Sequence, residues 1–413
     1  MALIKPFRAL RPQKKIVQQV AAPPYDVMSV AEARSMAEGN PFNFLHISKP
    51  EIDLPVEVDP HDESVYRKGQ ENLAAFIDAK TLVQDQEDHY YIYRQKMGSV
   101  VQTGLVACAS VEDYQSGLIK KHELTRADKE EDRVRHIDSL DANDEPVFYV
   151  YRNSSRMNNL MDRLTASEPL YDFTTKDSVV HTVWAVTDSD LIGQISNEFA
   201  GIETLYVADG HHRSAAASRV RELRKSLNSG HTGSEEYNYF LTVIFPDSEM
   251  NVMAYNRAVK DLNGHSIVEF ITLVGNKFEI TPVSASFTPA RRHDFGMYLK
   301  GKWYALTPRH DLVDESDAVG RLDVSILQDH LLSPILGVRN PRTDQRIHFV
   351  GGIRGTEELV KLVDSGEFQV SFSLYPTSID ELMSLADAGK IMPPKSTWFE
   401  PKLLSGLFLH RLS

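Results

Sequence analysis

Cysteine is nearly absent from this chain, since Cys108 is the only one in 413 residues. A single thiol excludes an internal disulfide and most sulfur-rich metal sites. Cys108 lies in the apolar run GLVACASV, which predicts a buried, unreactive thiol rather than a nucleophile. No stretch of about 18 apolar residues occurs, and the N-terminal MALIKPFRALRP lacks the apolar core of a signal peptide. We therefore expect a cytoplasmic protein without a membrane span.

Basic residues are also scarce relative to acidic ones. Lys and Arg total 45 against 58 Asp and Glu, which gives a formal net charge of −13. This balance argues against broad nucleic-acid binding, which requires a basic surface, although a local basic pocket remains open. None of the 15 histidines stands in an H-E-x-x-H or similar ligand spacing, so no residue is assigned to a metal. A metal-dependent hydrolase is therefore only a third hypothesis.

The order of predicted elements indicates the fold class. Apolar spacing predicts an amphipathic helix over 64–82, and a hairpin turns at Gly98. Further strands and helices alternate, which favours an α/β to α+β architecture. We divide the chain into a core over 1–260, a second, smaller α+β region over 261–345 and a C-terminal segment, 346–413, that returns to the core. Strands are expected at 147–151, 180–186, 203–208 and 239–245, and helices near 155–166, 188–199 and 211–228.

The stretch LYVADGHHRSAAASRV contains a strand, a polar turn and the start of a helix. Free N–H groups and the positive end of a helix favour anions at such a turn. Gly210 removes a side chain that would block a phosphate, and Arg213 can grip two phosphate oxygens. His211 or His212 can donate a hydrogen bond or move a proton. The Asp209 carboxylate would repel an anion at this turn unless it holds a cation, orients a histidine or accepts a substrate proton. The alternative is a structural role, in which Asp209 only caps the helix and Gly210 only makes the turn.

A second polar segment, KHELTRADKEEDR at 121–133, contains charges of both signs. Phosphoryl transfer needs cations on the phosphates and a base for the acceptor hydroxyl, and this segment offers both. In a helix over 128–136, Lys129, Asp132 and Arg133 would share one face. The alternative is a solvated helix with internal ion pairs. The catalytic candidates in this segment are His122 and Glu123.

The segment MPPKSTWFEPK near the C-terminus is a candidate anion site. Its prolines restrict the backbone, and Lys395 with the hydroxyls of Ser396 and Thr397 suits a phosphate or a carboxylate. The alternative is a turn capped by Ser396.

Two shorter motifs add substrate and base candidates. AYNRAV offers Asn256 and Arg257 at a strand end, where Arg257 can clamp a substrate carboxylate or make a structural ion pair. PPYDV places Asp26 in a rigid turn, where it can act as a general base or cap a helix that starts near Ser29.

ADGHHRSAAA resembles the phosphate-binding turn of the ParB/sulfiredoxin-like superfamily. The whole chain also resembles a bacterial and archaeal family known only as a domain of unknown function. The matching segments are PPYDV (23–27), NPFNFLHI (40–47), KHELTRADKEEDR (121–133), ADGHHR (208–213), AYNRAV (254–259), FVGG (349–352) and MPPKSTWFEPK (392–402).

This resemblance implies a ParB/sulfiredoxin-like mixed-sheet core with a phosphate-binding strand–turn–helix. Some relatives with this fold are free L-serine kinases, which place an acidic catalytic residue in the N-terminal segment. Asp26 is the nearest position here, and Glu123 is its rival. Because a fold hosts many functions, the resemblance sets an expectation about activity only.

We therefore expect a kinase for a small hydroxyl-bearing metabolite, with free L-serine as the first candidate and O-phospho-L-serine as its product. The turn and Lys395 would hold the phosphates of ATP, ADP or pyrophosphate, with Mg²⁺ to offset their charge. The alternative function is a ParB-like nucleotide-binding regulator that contacts DNA. The expected partners are the substrate and the phosphate donor, with neither membrane nor nucleic acid, and a homodimer is compatible with the sequence.

Overall fold

The computed structural model describes residues 2–413. The chain divides into two compact units. The first runs to Met250 and includes Pro401–Ser413, and the second is Asn251–Glu400. Relative to the predicted division, the boundary lies at Met250 instead of residue 260, and 346–400 belongs to the second unit.

The chain has a mixed α/β architecture, and its strands include one large mixed sheet. In chain order they are β1 (Ile4–Lys5), β2 (Leu10–Pro12), β3 (Leu82–Gln84), β4 (Tyr90–Met97), β5 (Val100–Ser110), β6 (Ile119–Lys120), β7 (Ala142–Asn143), β8 (Val147–Tyr151), β9 (Tyr171–Thr174), β10 (Val180–Val186), β11 (Leu205–Asp209), β12 (Tyr239–Pro246), β13 (Val252–Met253), β14 (Tyr255–Val259), β15 (Phe278–Val283), β16 (Phe295–Leu299), β17 (Lys302–Pro308), β18 (Ile347–Gly351), β19 (Val370–Leu374), β20 (Trp398–Phe399) and β21 (His410–Arg411).

The helices lie between these strands. They are α1 (Val17–Val20), α2 (Val30–Ala37), α3 (Leu45–Ser48), α4 (Glu63–Asp78), α5 (Val111–Ser116), α6 (Ala127–Leu140), α7 (Ser155–Leu164), α8 (Ser189–Phe199), α9 (His211–Leu227), α10 (Ile267–Gly275), α11 (Asp323–Leu327), α12 (Gly355–Asp364) and α13 (Ile379–Asp387). Short 3₁₀ segments are Lys14–Ile16, Tyr25–Val27, Pro50–Asp53, Glu236–Asn238, Asp247–Glu249, His310–Leu312 and Gly352–Arg354, and Gln328–Leu332 is π-helical.

The periodic segments form as the sequence predicts. The predicted helix over 64–82 is α4, where the Asp62 carboxylate caps the N-terminus by accepting from the Ser64 amide. The buried side of α4 recurs at intervals of one helical turn, which explains its amphipathic pattern. The hairpin is β4–β5 with Gly98 at the turn, and the four further strands and three helices are also confirmed within a few residues. The buried residues of α4 are Val65, Tyr66, Gly69, Leu73 and Phe76.

The first unit is built on a nine-stranded sheet in the order β6-β11-β8-β12-β5-β4-β10-β9, with β1 also paired to β5. β6 with β11 and β8 with β12 are parallel pairs, and the remaining neighbours are antiparallel. An apolar core of aromatic and β-branched side chains packs on this sheet. Cys108 is fully buried in β5, and burial raises the pKa of its thiol well above the usual range, as the prediction of an unreactive thiol requires.

The second unit is built on a six-stranded antiparallel sheet in the order β15-β17-β16-β19-β14-β18. A core that includes Tyr298, Trp303, Val350 and Leu359 packs α12 against this sheet. Within residues 2–413, every helix is too short or too polar to span a lipid bilayer.

Candidate functional site

The DGHHR turn joins β11 to α9 in the first unit. β11 ends at Asp209, α9 begins at His211, and Gly210 lies between them at φ 94°. Glycine adopts this left-handed conformation at little cost, whereas other residues rarely do. Gly210 also has no side chain with which to cap the helix. The N-cap residue of α9 therefore makes no side-chain cap hydrogen bond at the positive end of the helix, where an anion is favoured.

Sheet topology brings two other segments to this turn. β6 is parallel to β11, with Ile119 opposite Leu205, so both strands end at the same edge of the sheet. β8 is antiparallel to β11, with Phe148 opposite Asp209, so β8 begins at that edge. The residues after β6 and those before β8 therefore meet the turn.

Asp209 pairs with a cation, which is one of the roles predicted for a carboxylate at this turn. Its Oδ1 accepts a hydrogen bond from the Gly210 amide at 2.9 Å, and its Oδ2 accepts one from Nζ of Lys402 at 2.9 Å. Lys402 is the last residue of MPPKSTWFEPK, and its side chain is mostly buried. The ammonium offsets the carboxylate charge that would otherwise repel a phosphate.

Arg213 lies beneath the turn with only 8% of its surface exposed. Its Nη1 donates to the backbone carbonyl of Pro146, while its buried Nε has no partner among residues 2–413. Burial disfavours the charged guanidinium, but the charges of Asp26, Glu145 and Asp209 outweigh burial and raise the pKa of Arg213. A permanent cation is therefore kept inside the unit by surrounding carboxylates.

Glu145 is a member of this site that the motifs do not identify. Its Oε1 accepts hydrogen bonds from the Tyr25 amide at 3.1 Å and from the Ser405 hydroxyl at 2.7 Å. Its buried Oε2 has no partner within the described chain. Burial and then the charge of Asp144 raise the pKa of Glu145 to about 7, although Arg213 opposes the shift. This carboxyl group thus changes charge near neutral pH.

Further charged pairs surround Glu145. Arg133 pairs with Asp132 at 2.7 Å and lies 4.0 Å from the ring centre of Tyr25. Asp144 pairs with His136 at 2.9 Å. Each of these buried groups has a hydrogen-bonded partner, which is the condition for burying polar and charged groups. They enclose a cavity of about 10 Å³, whose lining includes Arg133, Asp144, Glu145 and Arg213; a space of this size holds about one water molecule.

Asp26 lies in the 3₁₀ segment Tyr25–Val27 and is exposed. It does not cap α2, because the Ser29 hydroxyl accepts from the Glu32 amide and the Glu32 carboxylate accepts from the Ser29 amide. The alternative of Asp26 as a helix cap is therefore wrong. Its carboxylate is instead the strongest of the charges that raise the pKa of Arg213.

His122 and Glu123 follow β6 and reach the turn from its other side. The rings of His122 and His211 meet at right angles with centroids 4.4 Å apart. Nδ1 of His122 and Nε2 of His211 are buried and have no hydrogen-bond partner among residues 2–413. One ligating atom from each histidine and from Glu123 lies within 4.8 Å of the others. Burial lowers the pKa of His122 to about 4 and that of His211 well below its usual range, so both rings are neutral.

The remaining candidates of the first unit are His212 and Lys129. Nε2 of His212 accepts a hydrogen bond from the Arg126 amide at 3.1 Å, just before α6 begins. The adjacent rings of His211 and His212 thus have different partners. Lys129 is exposed on α6, whereas Arg133 is buried.

Asn256 and Arg257 lie in β14 of the second unit. The Asn256 side-chain oxygen accepts from the Leu374 amide at 3.1 Å. Arg257 donates to the backbone carbonyls of Tyr255 and Lys395. Burial lowers the pKa of Arg257 to about 10. These partners are backbone carbonyls, so they test neither predicted role of Arg257, the clamp for a substrate carboxylate or the structural ion pair.

Lys395, Ser396 and Thr397 also belong to the second unit. The Ser396 hydroxyl donates to the carbonyl of Pro393 at 2.7 Å and so closes the turn, as the structural alternative predicts. Lys395 has a φ of 57° and is exposed, with its ammonium 5.6 Å from the ring centre of Tyr255. These contacts of Lys395 and Ser396 are thus with other residues of the second unit.

The model of a family described as protein of unknown function (DUF1015) matches residues 4–325. The chain belongs to this family. No curated protein matches this DUF1015 member.

Several solved structures are similar to the DUF1015 chain at low identity. A free serine kinase in complex with AMP is 13% identical, with a TM-score of 0.37 over 73% of this chain and 92% of that chain. A conserved hypothetical protein from Pyrococcus furiosus is 13% identical, with a TM-score of 0.33 over 73% and 95% of the two chains. A C-terminally truncated SbnI from Staphylococcus aureus is 11% identical, with a TM-score of 0.37 over 73% and 85%. Similarity at this level does not by itself indicate an activity.

Three functional candidates of the DUF1015 chain escape motif analysis: Glu145, Lys402 and Ser405. Only Glu145 carries a sequence signal, since the acidic pair Asp144–Glu145 is separated from a buried strand by Pro146 alone. Lys402 lies inside the segment MPPKSTWFEPK, but the motif in that segment is Lys395 beside two hydroxyls. Ser405 has no distinguishing context. The site as a whole can receive an anion over Gly210 and offers an exposed carboxylate, Asp26, to a substrate.

Proposed function

We propose that this DUF1015 member is a phosphotransferase for a small hydroxyl-bearing metabolite, with free L-serine as the first acceptor to test. The observation that carries the proposal is the buried guanidinium of Arg213 beneath the uncapped N-terminus of α9. Amides at a helix N-terminus together with an arginine form a phosphate-binding arrangement. A ParB/sulfiredoxin-like core is part of the same proposal, and the choice of L-serine rests on the sequence resemblance.

Gly210, His212 and Arg213 would receive the donor phosphates, with Lys402 neutralising Asp209 beside them. The glycine is required twice, because its φ is positive and because a β-carbon there would lie 3.1 Å from Nε of Arg213. The absence of a side chain at Gly210 lets the guanidinium pack against the turn. A cation placed in this way stabilises the charge that develops on a transferring phosphoryl group.

Asp26 is the proposed general base. Its carboxylate is exposed, so an acceptor can reach it, and its charge acts on Arg213. The acceptor hydroxyl oxygen would form a bond to the terminal phosphorus of ATP, ADP or pyrophosphate as the bond to the leaving phosphate oxygen breaks. The hydroxyl proton would pass to Asp26. Glu123 is the second candidate for this role.

Mg²⁺ fits this arrangement only in part. It prefers carboxylate and phosphate oxygens and usually binds through one or two carboxylates together with substrate phosphates. Asp26 would supply one carboxylate, whereas both Asp209 oxygens accept hydrogen bonds already. The ion would therefore enter with the donor and offset its charge.

A product screen tests the proposal. Purified protein is incubated with amino acids or sugars and each of the three donors, and phosphorylated products are identified by mass spectrometry. We expect O-phospho-L-serine from L-serine. Absence of product from every acceptor and donor would reject the phosphotransferase.

Matched variants then assign the roles. Arg213→Met should lower turnover by about 100-fold or more, while Arg219→Met, on the same helix in an exposed pair with Glu131, should not. Asp26→Asn should slow the reaction by about 100-fold. If Glu123→Gln is the slower variant, Asp26 is not the base. Thermal unfolding of each variant checks that a loss of activity is not a loss of fold.

A further inference from the structure

His122, Glu123 and His211 form a cluster in which only Glu123 has a proposed part in phosphotransfer, as the second candidate for the base. The two histidines are 2% and 7% exposed, and each has a buried ring nitrogen without a hydrogen-bond partner among residues 2–413. Buried polar atoms are almost always satisfied, because an unmet one is costly. Two such atoms, in rings whose centroids are 4.4 Å apart, are close enough to share one ligand.

The state of the two rings suits a cation. Nδ1 of His122 and Nε2 of His211 are both buried and without a hydrogen-bond partner among residues 2–413, and an imidazole nitrogen that carries no proton offers a lone pair. His122 also makes a hydrogen bond to the backbone of Val207. Because Nδ1 has no partner, we assign this bond to an Nε2–H donor, which leaves the lone pair on Nδ1. Metal-binding histidines characteristically donate their other ring N–H to a carbonyl or carboxylate in this manner.

We propose that His122, Glu123 and His211 bind one divalent transition-metal ion, of which Zn²⁺ is the probe. Their ligating atoms lie within 4.8 Å of one another. Ligand atoms around a four-coordinate zinc are about 3.4 Å apart, so the three groups need to close by only about 1.4 Å or less. Two imidazoles and one carboxylate are a ligand set for zinc or iron, whereas Mg²⁺ prefers oxygen alone.

Chain topology explains why these three residues converge. His122 and Glu123 follow β6 and His211 follows β11, and those parallel strands end side by side. Carboxyl ends of neighbouring parallel strands are common ligand positions in open sheets. Other charges also act on His211, from Asp209, His212 and Lys121. The Asp209 carboxylate is paired with Lys402, and the Lys121 ammonium is held 3.8 Å from the Tyr114 ring centre.

The site has three protein ligands, so a fourth position stays open. Catalytic zinc sites commonly have this composition, with water or a substrate oxygen in the open position. His211 is also the first residue of α9, whose N-terminus is the proposed phosphate site. An oxygen donor, such as a phosphate, would therefore be suited to the open position. The metal proposal does not depend on kinase activity.

Metal binding to the full-length protein tests this inference. Protein stripped with a chelator and dialysed is titrated with Zn²⁺ by calorimetry, and bound metal is counted after gel filtration. We expect one Zn²⁺ per chain and a rise in the unfolding temperature when Zn²⁺ is added. Co²⁺ in its place should give the visible absorption of a four- or five-coordinate nitrogen and oxygen site. Less than a tenth of an equivalent bound, or an octahedral aqua-type Co²⁺ spectrum, would overturn the proposal.

Variants of the ligands locate the site. His122→Gln, His211→Gln and Glu123→Gln should each weaken Zn²⁺ binding by tenfold or more. His181→Gln is the matched control, because His181 is equally buried but both its nitrogens have partners, Tyr93 and Thr175. Binding that is unchanged in the three ligand variants, or lost equally in His181→Gln, contradicts the assignment. Glu123 is half-buried, so Glu123→Gln decides the matter if a histidine variant does not fold.

This experiment is distinct from the test of phosphotransfer. A metal-binding chain without kinase activity supports the cluster and rejects the kinase. A chain that has kinase activity and binds no Zn²⁺ supports the kinase and rejects the metal site. If Glu123→Gln loses turnover but still binds Zn²⁺ as the wild type does, Glu123 is a base and not a ligand.

Discussion

Nζ of Lys402 donates a hydrogen bond to Oδ2 of Asp209 at 2.9 Å, across 193 residues of sequence. The contact ties the C-terminal segment of the first unit to the DGHHR turn. It also resolves a difficulty of that turn, in which a carboxylate lies directly beside the proposed anion site. The pair is mostly buried, so its electrostatic interaction is screened less than that of a surface pair.

Lys402→Met should weaken phosphate binding because it leaves the Asp209 charge uncompensated. We expect the affinity for pyrophosphate, measured by calorimetry, to fall about tenfold. Lys5→Met is the control, since Lys5 makes a comparable pair with Glu236 at 2.7 Å elsewhere in the unit. The double variant Asp209→Asn, Lys402→Met should recover most of the lost affinity. Failure to recover would mean that Lys402 acts on the anion directly.

Gly210→Ala should be more damaging than the same change at another left-handed glycine. Gly117 has a φ of 83°, and a β-carbon added there would meet no atom within 4 Å, so Gly117→Ala isolates the backbone strain. We expect Gly117→Ala to cost about 1–2 kcal/mol in the free energy of unfolding. Gly210→Ala should cost more and also abolish phosphate binding, because the new methyl meets Arg213. Equal stability losses with intact binding would remove the close approach from the mechanism.

Glu145 should make stability fall as the pH rises. The folded protein raises its pKa from 4.5 to about 7, so the folded state binds more protons than the unfolded state between these values. Stability from this group is therefore full below about pH 4.5 and is lost as the pH rises through 7, by about 3 kcal/mol at most. Glu145→Gln should flatten this dependence in denaturant unfolding between pH 5 and 8. Glu203→Gln, an exposed glutamate, should leave the curve unchanged, and a Glu145→Gln curve parallel to the wild type would contradict the shift.

Ser29→Ala separates the helix cap from the proposed base. Loss of the capping box of α2 should lower the free energy of unfolding by about 1 kcal/mol. Turnover at a temperature well below unfolding should stay the same, because Ser29 only holds the helix. Asp26→Asn should show the opposite pattern, with stability nearly unchanged and turnover reduced. If both variants lose stability equally, Asp26 is structural after all.

The local parts of this architecture follow from the sequence. Strand β11, the turn at Gly210 and helix α9 are predictable because alternation, glycine and a run of helix formers act over a few residues. The same holds for α4 and for the hairpin at Gly98. The residues of the candidate site can be predicted only where they belong to a sequence motif, as Asp209, Gly210 and Arg213 do.

The residue order alone specifies the polar turn and the elements that flank it, because those depend on short-range backbone preferences. The meeting of Lys402, Glu145 and His122 at the turn depends instead on the three-dimensional fold, since strand order and direction set which chain ends share a sheet edge. The fold also places Arg257 and Lys395 in the other unit. Burial then changes the chemistry, because loss of water raises the pKa of Glu145 and leaves the rings of His122 and His211 neutral, which residue type alone does not reveal.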